Sequence, residues 1–369
     1  MTEIGIGIVG GGYMGKAHSS AFASVGTVFE TTLKPRLEAI CASTLESGAR
    51  YARAYGYNRA ATDWRDLVND PKVEAVVIAS PQSTHREVAV AACAAVIPGL
   101  CEIPLGLGGA DARAMVAAAD AGGVINQVAY NYSRTPATQY ARQLIADGRI
   151  GRVTYARIEL TEDFQNDPGG VAAWRCSGEA NGCLGDLAPH PINAALALCG
   201  PVAELNAVME TVLPERGGVA VTNDDQVQMM LRFASGATGH LYASRTATGR
   251  KMGYNYEVFG TEGALRFDGE DQNVLWLYEA DTREAERGFK RILTGPAHPD
   301  YKAFCLGPGH GTGYQDQIII EAKDFLIAIE SGQPRWPTFA DGLAVQEIMA
   351  ATRASHAARS WVSIADYQV

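Results

Sequence analysis

Apolar positions in the first third of the chain form short runs separated by stretches of helical spacing. Ile4 to Val9 is a continuous apolar run closed by Gly10-Gly11-Gly12, and Lys16 to Val25 behind it is compatible with a helix. The apolar strand Leu37 to Ala42 precedes a helix over about 45–55, and the β-branched run Glu74 to Ala79 precedes another over about 85–95. Gly99 to Glu102 reads as a fourth strand, Asp111 to Ala121 as a helix and Val124 to Tyr130 as a fifth strand. Strands alternating with helices predict a parallel, doubly wound sheet that takes a ligand at the carboxyl ends of its strands.

From Val153 the period shortens towards two. Strand-like segments follow at 153–160, 202–213, 225–233, 237–245, 254–260 and 263–268, punctuated by Asn223-Asp224-Asp225 and Ala234-Ser235-Gly236. They predict a large, mainly antiparallel open sheet with helices on one face. Residues 280–313 read as a long loop, the kind that often carries function, and two helices over about 314–331 and 341–357 close the chain. The division expected is 1–132 for a dinucleotide-binding domain and 133–369 for an α+β domain that binds substrate and forms oligomers.

Composition narrows the partners. A chain of 369 residues with 47% hydrophobic and 20% charged content suits two globular domains. The net charge of −10 disfavours nucleic acid and anionic membrane surfaces. No apolar run is long enough to span a bilayer, and Met1-Thr2-Glu3 leads straight into the first strand, so a cytoplasmic protein is expected. Cys41, Cys93, Cys101, Cys176, Cys183, Cys199 and Cys305 are scattered without a C-x-x-C pair, which favours reduced thiols and no metal site.

The first turn carries the chemistry. Gly10, Gly12 and Gly15, with Tyr13 and Met14 between them, spell G-x-G-x-x-G between a strand and a helix, the context of a dinucleotide site. Gly10 permits the tight turn, Gly12 lets the backbone approach a pyrophosphate, and Gly15 lets the helix pack close. The freed N–H groups and the helix dipole favour an anion. Strand two ends in Cys41-Ala42-Ser43-Thr44, which offers hydroxyls such as that of Ser43 but neither an acid for NAD nor an adjacent arginine for NADP, so NAD and NADP both stay open.

Further motifs follow in order: Ser80-Pro81-Gln82-Ser83-Thr84-His85, Cys101-Glu102-Ile103-Pro104, Tyr130-Asn131-Tyr132, Gly185-Asp186-Leu187-Ala188-Pro189-His190, and Tyr256 to Gly263. With the glycine turn, these make the chain resemble the Gfo/Idh/MocA family of glucose–fructose oxidoreductases, inositol dehydrogenases and rhizopine-catabolism proteins over nearly its whole length. The resemblance implies an N-terminal Rossmann domain and a C-terminal α+β domain that builds a homodimer or homotetramer through its sheet. It also implies hydride exchange between NAD(P) and a secondary alcohol of a sugar, sugar derivative or inositol. Oxidising such an alcohol needs a base within reach of its hydroxyl. In the family a lysine and a histidine share that work, at positions held here by Ile103 and His190, with Asp186 beside the histidine to orient hydroxyls and raise its basicity.

Isoleucine cannot exchange a proton. Either Ile103 alters an ordinary Glu-Lys-Pro enzyme, or it is a divergence that retunes the crevice with His190 as sole base. A rival function is a non-catalytic sensor or scaffold that binds a dinucleotide and a polyol. Ser80, Pro81, His85, Glu102 and Pro104 are candidates to hold the cofactor. Asn131, Tyr132, Trp174 and Arg175 join Asp186 and His190 as candidates for the substrate, and Glu162, Asp163, Arg245, Lys251, Tyr254, His310 and Tyr314 lie in loops of similar make-up. Pro189 and Pro191 place the helix of His190 late, with Asp186 in its entry turn. The resemblance also implies a glycine at the helix end near 95 and a β-branched residue entering the next strand; Val96 and Gly99 stand close to the reverse, although glycine suits a left-handed helix terminus and valine a buried strand.

Overall fold

The computed structural model describes residues 2–170 and 173–368, which form two compact units. The first takes Met1–Arg134 and Gly313–Ala344, the second Thr135–Thr312 and Val345–Val369. The first unit thus extends past 132 and recovers a late segment that the sequence grouped with the second. The reason is packing. The late helix Tyr314–Ser331 buries Ile318, Ile320 and Phe325, and Phe325 meets Phe22 edge to face at 6.4 Å.

The first unit is built on six parallel strands: β1 (Thr2–Val9), β2 (Leu33–Cys41), β3 (Arg59–Ala61), β4 (Ala75–Ile78), β5 (Gly99–Cys101) and β6 (Asn126–Val128). Their order is β3-β2-β1-β4-β5-β6, so the winding reverses between β1 and β4. Helices α1 (Tyr13–Val28), α2 (Leu45–Tyr55), α3 (Trp64–Val68), α4 (His85–Ala94) and α5 (Gly109–Gly122) supply the crossovers. Every residue of β4 is fully buried, as a central parallel strand covered on both faces must be. The doubly wound sheet is as expected, with one added unit: β3 and α3 are too short, at three and five residues, to show a period.

Helix α4 ends where sequence and backbone conflict. The N–H of Val96 donates to Cys93 O at 3.0 Å and that of Ile97 to Ala92 O at 2.9 Å, a Schellman closure. The closure forces Val96 to φ 56°, the left-handed region that favours glycine. Gly99, three residues on, sits inside β5, where a Cβ would meet only Phe339 Cζ at 3.9 Å and Val76 Cγ1 at 4.0 Å.

The second unit carries β7 (Val153–Thr161), β8 (Val202–Glu210), β9 (Glu215–Arg216), β10 (Val219–Ala220), β11 (Gln226–Phe233), β12 (Thr238–Ser244), β13 (Gly253–Gly260), β14 (Gly263–Phe267), β15 (Val274–Glu279), β16 (Lys290–Leu293) and β17 (Val362–Ser363). All but the β9–β10 hairpin join one nine-stranded sheet, order β16-β15-β14-β13-β7-β12-β11-β8-β17, antiparallel except between β7 and β12. Alternation is clean: in β11, Val227, Met229, Leu231 and Phe233 are buried while Gln228, Met230 and Arg232 are exposed. Helices α6 (Pro136–Ala146) and α8 (Pro189–Cys199) pack on the sheet. The segment expected as a loop, 280–313, in fact holds β16 and the short helix Tyr301–Phe304. All seven cysteines are free thiols. Among the described residues, no helix is long and apolar enough to cross a membrane.

Candidate cofactor and substrate sites

In the first unit the carboxyl ends of β1, β4 and β5 form the candidate cofactor site, at the reversal point where doubly wound sheets bind dinucleotides. Gly10 has φ 103°, and a Cβ there would lie 2.3 Å from Ala79 O. A Cβ on Gly15 would lie 2.1 Å from Gly10 O, so only glycine lets α1 start this close to the turn. Gly12 differs: a Cβ there would meet nothing within 4 Å. Gly12 caps α1 without a side-chain hydrogen bond, and the first turn holds no acidic residue, leaving the helix N-terminus open to an anion. A dinucleotide pyrophosphate fits this cradle. Tyr13 beside it is 73% exposed and stacks on Tyr314 at 6.2 Å, while the Tyr314 hydroxyl donates to Met14 Sδ at 3.3 Å.

At the end of β2, Ser43 is exposed, while Thr44 caps α2 by accepting from the Ser47 N–H at 3.1 Å. After β4, the Ser80 and Thr84 hydroxyls are 2.6 Å apart, and Pro81 O accepts from Thr84 Oγ1 at 2.8 Å. His85 is buried and spans two loops, with Nδ1 3.0 Å from Pro104 O and Nε2 2.8 Å from Ser80 O. The ring lies between the Ser80 loop and the Pro104 turn; burial lowers its pKa, and the neutral imidazole has one N–H to donate to one of the two carbonyls.

Glu102, at the end of β5, accepts from His18 Nε2 at 2.6 Å and from the Ile103 N–H at 3.3 Å. Ile103 is half-buried and precedes Pro104 through a cis peptide. Asn131 is buried and donates from Nδ2 to Gln317 Oε1 at 3.0 Å, while Tyr132 tilts against Tyr314 at 6.2 Å. Within this unit, then, Asn131 braces the late helix.

The second unit gathers the remaining candidates. Asp186 ends the short helix α7 (Cys183–Asp186), and Pro189 opens α8 at its first position, where a missing N–H costs no helix bond. His190 follows in that first turn. Asp224 fixes the entry by accepting from the Leu184 N–H at 2.6 Å, and a Cβ on Gly182 would lie 2.2 Å from its Oδ1. Asp186 pairs with Arg175, whose guanidinium also lies 4.2 Å from the Trp174 ring and 5.1 Å from the Phe164 ring. Both rings are largely exposed, at 55% and 42%.

Burial raises the Asp186 pKa against the pull of Arg175. Burial and the Asp186 carboxylate push Glu162 up to about 7. The histidine departs from expectation: burial lowers His190 to about 3, where a rise was anticipated, because loss of hydration outweighs its surroundings. His190 is therefore a neutral imidazole.

The loop of Trp174 and Arg175 is held from below by a buried ion triad that spacing could not reveal. Asp225 Oδ1 accepts from Arg216 Nη2 and from Arg245 Nε, each at 2.8 Å, and all three side chains are fully buried. Arg245 also donates to Arg175 O at 3.0 Å and to Asn181 O at 2.8 Å. Arg245 is thus a brace, and Asn223-Asp224-Asp225, which the sequence offered only as a strand break, carries much of the local architecture. Lys251 pairs with Asp163 at 2.8 Å near the surface, and the His310 ring lies 3.1 Å from Cys305 Sγ.

A parallel sheet with a glycine turn, joined to a unit offering a carboxylate, an imidazole and exposed aromatic rings, defines an NAD-dependent oxidoreductase. Residues 4–130 match the oxidoreductase family with an NAD-binding Rossmann fold, and residues 138–266 match the GFO/IDH/MocA C-terminal domain. The chain belongs to the GFO/IDH/MocA family of sugar and cyclitol dehydrogenases. It is 37% identical to a levoglucosan dehydrogenase of Pseudarthrobacter phenanthrenivorans over 99% of both chains. It is 27% identical to a myo-inositol 2-dehydrogenase of Thermotoga maritima over 91% of both. Among solved structures, levoglucosan dehydrogenase in complex with NADH and levoglucosan superposes with a TM-score of 0.95 at 38% identity, covering 98% of this chain and 99% of that one.

Proposed function

We propose that the protein oxidises a secondary alcohol of a sugar or anhydrosugar, of the size and polarity of levoglucosan, with NAD as hydride acceptor. The observation that carries this is the Asp186–Arg175 pair flanked by the exposed Trp174 and Phe164 rings. A carboxylate and a guanidinium read hydroxyl groups, while aromatic faces cover the apolar C–H face of a sugar ring. Gly10, Gly12, Tyr13, Met14 and Gly15 would hold the cofactor's pyrophosphate end. Ser43 would meet the adenosine ribose, and Ser80, Pro81, Glu102 and Pro104 would line the nicotinamide half.

Bound NAD supplies the acceptor for the hydride that leaves the carbinol carbon. The hydroxyl proton goes to the protein. Glu162, poised near neutrality beside Asp186, is the group able to hold it, whereas burial makes His190 too weak a base to keep a proton near neutral pH. Ile103 takes no part in this transfer, and the rate is expected to be ~10²–10⁴-fold below that of a chain with lysine there. That same isoleucine favours the rival reading of a dinucleotide- and polyol-binding sensor. Exposed Val208, Met230 and Tyr155, on β8, β11 and β7 of the open sheet, support a homodimer or homotetramer through that sheet.

Trp174→Ala tests the substrate surface. The variant should raise KM for the sugar about fivefold while leaving the Kd for NADH unchanged, since one aromatic stacking contact is worth about 1 kcal/mol. An unchanged KM would remove Trp174 from the site.

A further inference from the structure

The first unit contains a polar cluster for which its fold has no need. His18, on α1, is fully buried, and its Nε2 donates to Glu102 Oε1 at 2.6 Å. Glu321, on the late helix, is also fully buried, and among the described residues neither of its carboxyl oxygens has a hydrogen-bond partner; His18 Nδ1 likewise has none there. A buried acid without partners destabilises a fold that an apolar side chain would not. The groups facing the cluster come from every element around it. Cys101 adjoins Glu102 on β5, His85 lies on α4, Arg134 follows β6, and Tyr314 and Asp324 share the late helix with Glu321.

We propose that His18, Glu102 and Glu321 act as one proton-linked charge cluster behind the nicotinamide half of the cofactor site, setting how strongly the protein prefers the cationic oxidised nicotinamide to the neutral reduced one. The inference rests on the placement of Glu102 at that half, which follows from its position at the end of β5, beyond the reversal between β1 and β4. Arg134 pairs with Asp324 at 2.6 Å, and Lys323 and Arg335 approach the same carboxylate at 3.2 and 3.3 Å.

Burial drives Glu321 up to about 8, helped by Glu102 and Asp324 and opposed by His18 and Arg134. Burial works to lower His18, but the hydrogen bond and charge of Glu102, with the charge of Glu321, raise it. At mildly acidic pH Glu321 is a neutral acid and adds no charge to the cluster. Raising the pH strips its proton and leaves the cluster one unit more negative, which stabilises a cation nearby and does nothing for a neutral ring. By linkage, exchanging NADH for NAD releases protons.

The test is calorimetric titration with NAD, NADH and ADP-ribose at pH 6 and pH 9, on the native protein and Glu321→Gln. One unit of charge across about 10 Å of protein corresponds to about tenfold in affinity. The ratio of the NADH Kd to the NAD Kd should therefore rise with pH about tenfold more in the native protein than in Glu321→Gln. ADP-ribose, which lacks the nicotinamide, should bind both proteins alike at both pH values. A ratio indifferent to pH, or one that rises equally in both proteins, overturns the proposal. Failure of ADP-ribose to bind at all would instead overturn the cofactor site itself, and the proposal with it. Glu102→Gln supplies a second check: removing the carboxylate should lower the preference for NAD at both pH values, and an unchanged preference also overturns the cluster.

Discussion

Replacing Val96 with glycine should stabilise the protein. Val96 stands at φ 56° immediately beyond the end of α4, held there by two hydrogen bonds that close the helix. The left-handed conformation costs an L-residue roughly 1–2 kcal/mol, and a branched Cβ places valine towards the upper end. Glycine removes that cost but frees the unfolded chain, giving back about 0.5–1 kcal/mol. The side chain is 67% exposed, so little burial is lost with it. The net gain is about 1 kcal/mol, or about 2–4 °C in Tm for a domain of this size. Thermal unfolding followed by circular dichroism, with urea unfolding as a second measure, would show the gain as a higher midpoint at unchanged slope. A lower midpoint for Val96→Gly would refute the reasoning, because it would mean that valine sits in this closure without strain.

Two other perturbations bear on buried charge. Asp225→Asn leaves Arg216 and Arg245 without their shared carboxylate and should destabilise by about 3–5 kcal/mol in urea unfolding; a loss under about 1 kcal/mol would show that the triad is not a brace. Glu321 has its pKa raised from 4.5 to about 8 on folding, so the native state holds a proton that the unfolded chain has released between those values. Stability should therefore fall as pH rises through that window. Glu321→Gln should abolish this slope and be the more stable by about 3 kcal/mol at pH 7, and equal pH dependence in the two proteins would contradict the assignment.

Local chemistry made part of this protein legible. The turn at Gly10–Gly15 needs only neighbouring residues, and so the strand, cradle and helix appear in the sequence as they do in the structure. Alternation along β11 and the continuous apolar run of β4 were equally plain. The segment 280–313 was not, because Glu284 to Arg291 is charged without a period of two, and β16 pairs at the sheet edge where little needs to be buried. Helix α6 went unread, since Pro136 at its first turn resembles a loop signal until the N-cap of Thr135 is seen. The hydrogen bonds of the candidate site lay further out of reach. His18, Glu102 and Glu321 are scattered across the first unit's sequence, and nothing in a lone histidine on a helix of small residues points to a carboxylate 84 positions away. The expected strengthening of His190 by Asp186 failed for a related reason, because burial is a tertiary property and it dominates that imidazole.

We propose a sugar dehydrogenase that works without the lysine its Glu-Ile-Pro turn would otherwise carry. The most direct measurement is the rate of reduced-cofactor formation with NAD over a panel of sugars, levoglucosan and inositols, for the native chain beside Ile103→Lys. Slow turnover by the native protein on at least one of them, rising ~10²–10⁴-fold when lysine is introduced, is the result expected. Bound NADH with no turnover from either protein would contradict it and favour the binding protein.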